Sequence, residues 1–263
     1  MSILLAAVPA SLDVRQPDDP VSRLIFAVDI EGSTERTNPA KGKLRDFLYE
    51  LLEQALEATG IAARHMEPFT DRGDSVLVLI KPHDEVPKTL VLGRLIPTLA
   101  SLLAGHNAAV DRPELRMRLR AVVHAGEVHE DDKGFYGDDL DAAFRLLEAP
   151  PLKKALKETA DAPLILVVSE EIYNGIVQQG YLDDSSYRPL VRVKVGRRQR
   201  RGWAHIPEPL PPDRPGASRR PRGQLPSMPL SIAPVNGYGP VPPQASGPER
   251  GVNGREAHRS GRE

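Results

Sequence analysis

Hydrophobic positions divide the first 206 residues into alternating element types. Arg23–Asp29 is apolar at every position from Leu24 to Val28 and predicts a buried strand that ends on an acid. Lys41–Thr59 places Leu44, Phe47, Leu48, Leu51, Leu52, Ala55 and Leu56 at i, i+3, i+4 spacing, an amphipathic helix closed by Gly60. His65–Phe69 and Ser75–Ile80 flank the turn D-R-G-D and predict a hairpin. A second long helix is expected from about Lys88 to Asn107. Met117–His124 predicts a strand turned at Ala125–Gly126, with Glu127–Glu130 pairing back on it. Asp139–Leu147 predicts a helix stopped by Pro150–Pro151, and Leu164–Val168 a buried strand. Glu170–Gln178 predicts a helix with Ser169 as N-cap, and Val191–Lys194 with Gly202–His205 a final hairpin. The order β-α-β-β-α-β, followed by additions, is the ferredoxin-like α+β arrangement, a sheet with helices on one face.

Composition changes this picture mainly at the ends. Thirteen of the 26 prolines lie between Pro207 and Pro248, with Gly, Ser and Arg and few large apolar residues. Such a segment buries too little surface to offset chain entropy. The expected organisation is therefore a flexible N-terminus at 1–20, a domain at 21–206 and a disordered Pro/Gly/Arg-rich basic tail at 207–263. Residues 197–263 hold 12 Lys+Arg against 5 Asp+Glu, a balance of +7. Subtraction from the chain's 35 and 36 leaves 23 against 31, a balance of −8, in residues 1–196. R-R-Q-R-R and S-R-R-P-R are the candidates for a basic arm that meets nucleic acid, a membrane or a regulatory partner. The absence of cysteine excludes disulfides and thiolate metal sites. No uninterrupted apolar run approaches membrane-spanning length, and M-S-I-L-L-A-A-V-P-A lacks a basic n-region, so the expected location is the cytoplasm.

The candidate chemistry begins with two acids. In the predicted arrangement Asp29 ends the first strand and Asp74 begins a neighbouring one, so both can face one point at one edge of the sheet. Two carboxylates with a nearby carbonyl make a hard oxygen site suited to Mg²⁺ or Mn²⁺. The turn Gly32-Ser33-Thr34 leads toward helical sequence, and its N–H groups can face phosphate oxygens.

D-I-E-G-S-T resembles the D-I-x-G-S/T motif of class III nucleotidyl cyclase catalytic domains, the adenylate/guanylate cyclase family. R-G-D-S-V-L-V-L-I resembles that family's G-D-x-hydrophobic hairpin. L-R-A-V-V-H-A-G-E-V resembles its R-x-G-I-H-x-G-x-V strand, and G-F-Y-G-D-D-L-D-A-A-F-R-L-L its G-x-x-V-N-x-A-x-R-L segment. The four blocks stand in the family's order across residues 22–205. The resemblance implies a ferredoxin-like βαββαβ core with extra C-terminal strands and helices. It implies a metal-dependent lyase that makes a 3′,5′-cyclic nucleotide and pyrophosphate from a nucleoside triphosphate, in signalling. Asp29, Asp74 and the Ile30 carbonyl would hold two divalent ions, and Gly32, Ser33, Thr34 and Lys194 would meet phosphate. Arg145 would carry transition-state charge. The metal acids and the arginine would come from different subunits of a homodimer, with a heterodimer as the alternative assembly.

Several positions depart from that pattern. Asp141 stands where the family has Asn, and an acid there repels phosphate. The base-reading positions hold Thr70 and Gly134, which leaves the base unassigned among purines and pyrimidines. The alternative implied by these departures is a domain without turnover, serving as a nucleotide-binding sensor or interaction module. His124, in a matching strand, is expected in the core.

Overall fold

A computed structural model describes residues 19–210. The segment 1–18 and the chain beyond 210, with most of the expected tail and its S-R-R-P-R, lie outside the described residues. Strand β1 (Val21–Ile30) is the centre of the fold. Leu24, Phe26, Val28 and Ile30 enter one core while Ile25 and Ala27 enter a second. Successive side chains of a strand point to opposite faces, so this uninterrupted apolar run is buried on both sides.

Helix α1 (Asn38–Thr59) follows, three residues longer at its start than its apolar spacing indicates because Pro39 fits the first helical turn. It closes as expected on Gly60, at φ 77°. Of the expected first hairpin arm, only β2 (Thr70–Asp71) and a bridge from Met66 to Ile80 pair with β3 (Ser75–Ile80). Short helix α2 (Lys88–Leu90) runs through a wide turn at Val91–Leu95 into α3 (Ile96–Ala109). The 22 residues Lys88–Ala109 are long and apolar enough to cross a membrane, a property that Lys88 and Arg94 hide when only uninterrupted runs are counted. Here Val91, Leu95, Ile96, Leu99 and Leu103 are fully buried in the first core.

Strand β4 (Leu119–Asp131) runs 13 residues straight through Ala125–Gly126, so the expected turn there is absent. The reversal comes later, and β5 (Gly134–Tyr136) pairs back on Asp131. Gly126 has another cause. A Cβ placed on it would stand 2.3 Å from Oδ2 of Asp139, which accepts a hydrogen bond from the Glu127 N–H at 2.9 Å. Gly126→Ala is therefore expected to lower stability by about 2 kcal/mol, read as a lower urea midpoint.

Helix α4 (Asp138–Leu147) ends before the two prolines, which then open a further helix, α5 (Pro150–Glu158). Strand β6 (Leu164–Ser169) leads to α6 (Glu170–Ile172), prolonged by a wide turn at Tyr173–Val177. Ser169 precedes it without making a side-chain cap. Strands β7 (Arg188–Val195) and β8 (Arg198–His205) form the final hairpin. R-R-Q-R-R thus belongs to this hairpin and not to an arm. The charged stretch Arg198–Arg201 of β8 pairs with β7 alone, since β6 meets β8 only from Gly202 on, so one side of its ladder meets water.

The sheet order is β2-β3-β1-β4-β6-β8-β7, with β5 on β4. Only β4–β6 is parallel. The first four positions reproduce the ferredoxin-like order. Helices α1, α3 and α6 pack on one face around Leu44, Leu48, Leu99 and Ile172. The additions α4 and α5 cover the other face through Leu140, Ala143, Leu146, Leu152 and Leu156.

Candidate active site

The turn after β1 and the turn before β3 meet at one edge of the sheet. The Ile30 N–H donates to the Asp74 carbonyl at 3.0 Å, and Asp29 stands opposite Ser75 in the ladder. The D-R-G-D turn is held by the Gly73 N–H donating to Asp71 Oδ1 at 2.7 Å, with Gly73 at φ 87°. Arg45, from α1, donates to the Gly73 carbonyl at 2.8 Å and pairs with Asp71. These contacts fix the backbone that presents Asp74.

A cleft of about 940 Å³ opens at this edge, and Asp29, Ile30, Gly32, Ser33, Thr34 and Asp74 all line it. The two acids are therefore brought together as their spacing suggests. Gly32, at φ 65°, heads a single tight turn, Ser33–Glu35, and α1 begins only at Asn38. The phosphate-facing turn is thus separate from the long helix. Its first N–H groups still lack partners inside the turn.

Arg120 is a cleft residue that the sequence reading does not single out. It faces Asp29 across β1 and β4, is 6% exposed, and pairs with the Asp29 carboxylate. Burial pushes the Asp29 carboxyl up to about 6; Arg120 pulls it back and the Asp74 charge adds to the rise. Glu31 is engaged elsewhere. Arg118 Nε and Nη2 donate to its two oxygens at 2.6 and 3.0 Å.

The other candidates do not line the cleft within one chain. Asp141 and Arg145 are exposed on α4 and make no ion pair among the described residues, including with each other. Thr70 lies opposite Leu77, whose side chain enters the α4-side core. Arg72, two residues on, stacks over the Phe144 ring at 4.0 Å. Gly134 opens β5. Lys194 is exposed on the outermost strand; Val191 and Val193 turn to the α4 side, so Lys194 alternates to the opposite face. His124 is in the core at 1% exposure, 3.4 Å from Asp139 and 3.5 Å from Glu171. Arg200 bridges those two acids at 3.0 and 3.1 Å. The contact with the His124 ring holds the Glu171 carboxyl down at about 2.

One further cluster has metal-ligand composition. Nitrogens of His65 and His83 and an oxygen of Glu85 lie within 4.8 Å of one another. Nδ1 of His65 accepts from the Ala62 N–H at 3.2 Å, and Nδ1 of His83 from the Glu85 N–H at 3.1 Å. Each neutral ring therefore carries its proton on Nε2. Glu85 accepts from His65 at 3.0 Å and from Arg64 at 2.8 Å, so its carboxylate is engaged by hydrogen bonds.

No family profile and no curated protein matches the sequence. Solved structures do match. The adenylate/guanylate cyclase/hydrolase from Silicibacter pomeroyi is 17% identical, over 72% of this chain and 98% of that one, at a TM-score of 0.52. The guanylyl cyclase Cya2 is 16% identical, over 74% and 97%, at 0.51. With the ferredoxin-like strand order, the added β7–β8 hairpin and helices on both faces, the chain has the fold of the class III nucleotidyl cyclase catalytic domains.

Proposed function

We propose that two copies of this chain form a metal-dependent nucleotidyl cyclase. The observation that carries this reading is the convergence of Asp29 and Asp74 on one cleft beside Gly32–Thr34. The donor set fits Mg²⁺ or Mn²⁺, because two carboxylates and the Ile30 carbonyl are hard oxygen ligands. When bound, such ions lower the pKa of the ribose 3′-hydroxyl and neutralise the triphosphate.

In the proposed reaction the ribose 3′-oxygen forms a bond to the α-phosphorus. The bond from that phosphorus to the bridging oxygen breaks, and pyrophosphate leaves with the electron pair. The hydroxyl proton passes to solvent. The chain's residues bind and orient the groups for this step. Gly32–Thr34 offers N–H groups to phosphate oxygens. Arg120 keeps Asp29 aimed at the cleft by charge and hydrogen bond. Arg145, exposed on α4 and uncommitted to Asp141, supplies its fixed charge to the cleft of the other copy. A cleft of about 940 Å³ has the size of a nucleotide site.

The test is incubation of the full chain with ATP, GTP, UTP or CTP and Mn²⁺, with mass spectrometry of the products. The expected result is a 3′,5′-cyclic nucleotide from at least one of them. Nucleotide binding without product from any would instead favour a sensor or interaction module. The observation behind that second reading is Asp141, exposed in the acidic first turn of α4 with Asp138 and Asp139.

A further inference from the structure

We infer that helix α5 is a phosphate-binding wall of the cleft, on which Lys153 and Lys157 hold the β- and γ-phosphates and then the departing pyrophosphate. This rests on the cyclase reading of the same site. Both lysines line the cleft together with Asp29 and Asp74. They are four residues apart, so they share one face of α5. An adjoining face is anchored, because Leu152 and Leu156 are fully buried in the second core. The end of the helix is tied down as well. Arg118 donates to the carbonyls of Leu156 and Thr159 at 2.8 and 3.0 Å while its other N–H groups grip Glu31. One guanidinium thereby joins α5 to the D-I-E-G turn.

The cleft's other cations are already engaged. Arg120 is paired with Asp29, Arg118 with Glu31, and Arg36 donates to the Glu114 carbonyl. Among the described residues Lys153 and Lys157 make no ion pair, and neither reaches Glu148, which also lines the cleft. Lys154, between them, pairs at 3.6 Å with Glu158. Lys153 lies close enough for its charge to act on the Asp29 carboxylate. Two flexible ammonium groups on a fixed helix suit a polyphosphate tail whose oxygens point in several directions.

Binding of inorganic tripolyphosphate in the presence of Mn²⁺, followed by calorimetry on the full chain, tests the wall without requiring turnover. K153Q/K157Q is expected to weaken binding about tenfold or more, and K154Q to leave it unchanged. All three lysines are exposed, so the fold is retained, and a thermal melt checks this. Equal affinity in the double variant and the unaltered chain overturns the inference, as does an unaltered chain that does not bind tripolyphosphate. If binding needs the two lysines but no triphosphate is cyclised, the wall stands and the turnover reading falls. If product forms, and the double variant keeps the original KM and the original inhibition by pyrophosphate, the wall falls and the turnover reading stands.

Discussion

Asp29→Asn and Asp74→Asn are each expected to reduce cyclic-nucleotide formation by about 10³-fold or more while the protein still unfolds cooperatively. Asparagine is the informative replacement at position 29. Arg120 is buried and donates to Asp29 Oδ1, an oxygen that an amide retains. Alanine would strand a buried guanidinium at a cost of about 3–5 kcal/mol, and lost activity would then mean lost structure. Circular dichroism and a urea transition separate the two cases. Turnover that survives either asparagine change removes that acid from the cation site.

A pH dependence accompanies the same variants. Asp29 titrates at about 6, above its ordinary 3.8, so below pH 6 the free site holds a proton that a cation must displace. Mn²⁺ affinity is expected to be nearly constant above pH 7. It then falls by up to about tenfold per pH unit as acid is added below 6. Asp29→Asn should lose that slope along with most of the affinity. Calorimetric Mn²⁺ titrations at pH 7.5 and 5.5 measure both. A slope that persists in the variant assigns the proton to another group.

What could be read from the sequence was what depends on local spacing. The apolar run before Asp29 and the i, i+4 leucines of α1 each report burial within a few residues of chain. The D-R-G-D turn is equally local, since Asp71 caps its own Gly73. The misreadings share a different cause. Gly126 looks like a turn, yet it serves a side chain 13 residues away that needs the space above a straight strand. Pro150–Pro151 stops α4, but the same fixed φ opens α5, and so the lysine wall stayed out of sight. Arg120 lies inside the block L-R-A-V-V-H-A-G-E-V. Its meaning depends on register, because only the pairing of β1 with β4 sets it against Asp29. Arg118 likewise binds Glu31, 87 residues distant in the chain.

Mixing two inactive variants is expected to restore activity. Within one chain the cleft holds Asp29 and Asp74, while Arg145 and Asp141 face solvent on α4 and do not line it. If the reaction needs both sets, each copy contributes one half of a site to its partner, and a two-fold pair builds two sites. Asp29→Asn would ruin the acid half and Arg145→Ala the cationic half. Arg145 is exposed, so its truncation leaves the core intact. In a mixed pair one site carries both lesions and the other carries none. Random exchange at equal concentrations makes about half of all pairs mixed, each with one working site of two. The mixture should therefore regain about one quarter of the original activity, from two preparations each reduced about 10³-fold. Recovery should grow with total protein as pairs form and exchange. A mixture as inactive as its components, under conditions where ultracentrifugation shows exchange, would place Arg145 and Asp29 in the same copy's site or remove Arg145 from the reaction. The outcome turns on geometry already present in the single chain: a cleft complete in its acids, and an uncommitted arginine that does not line it.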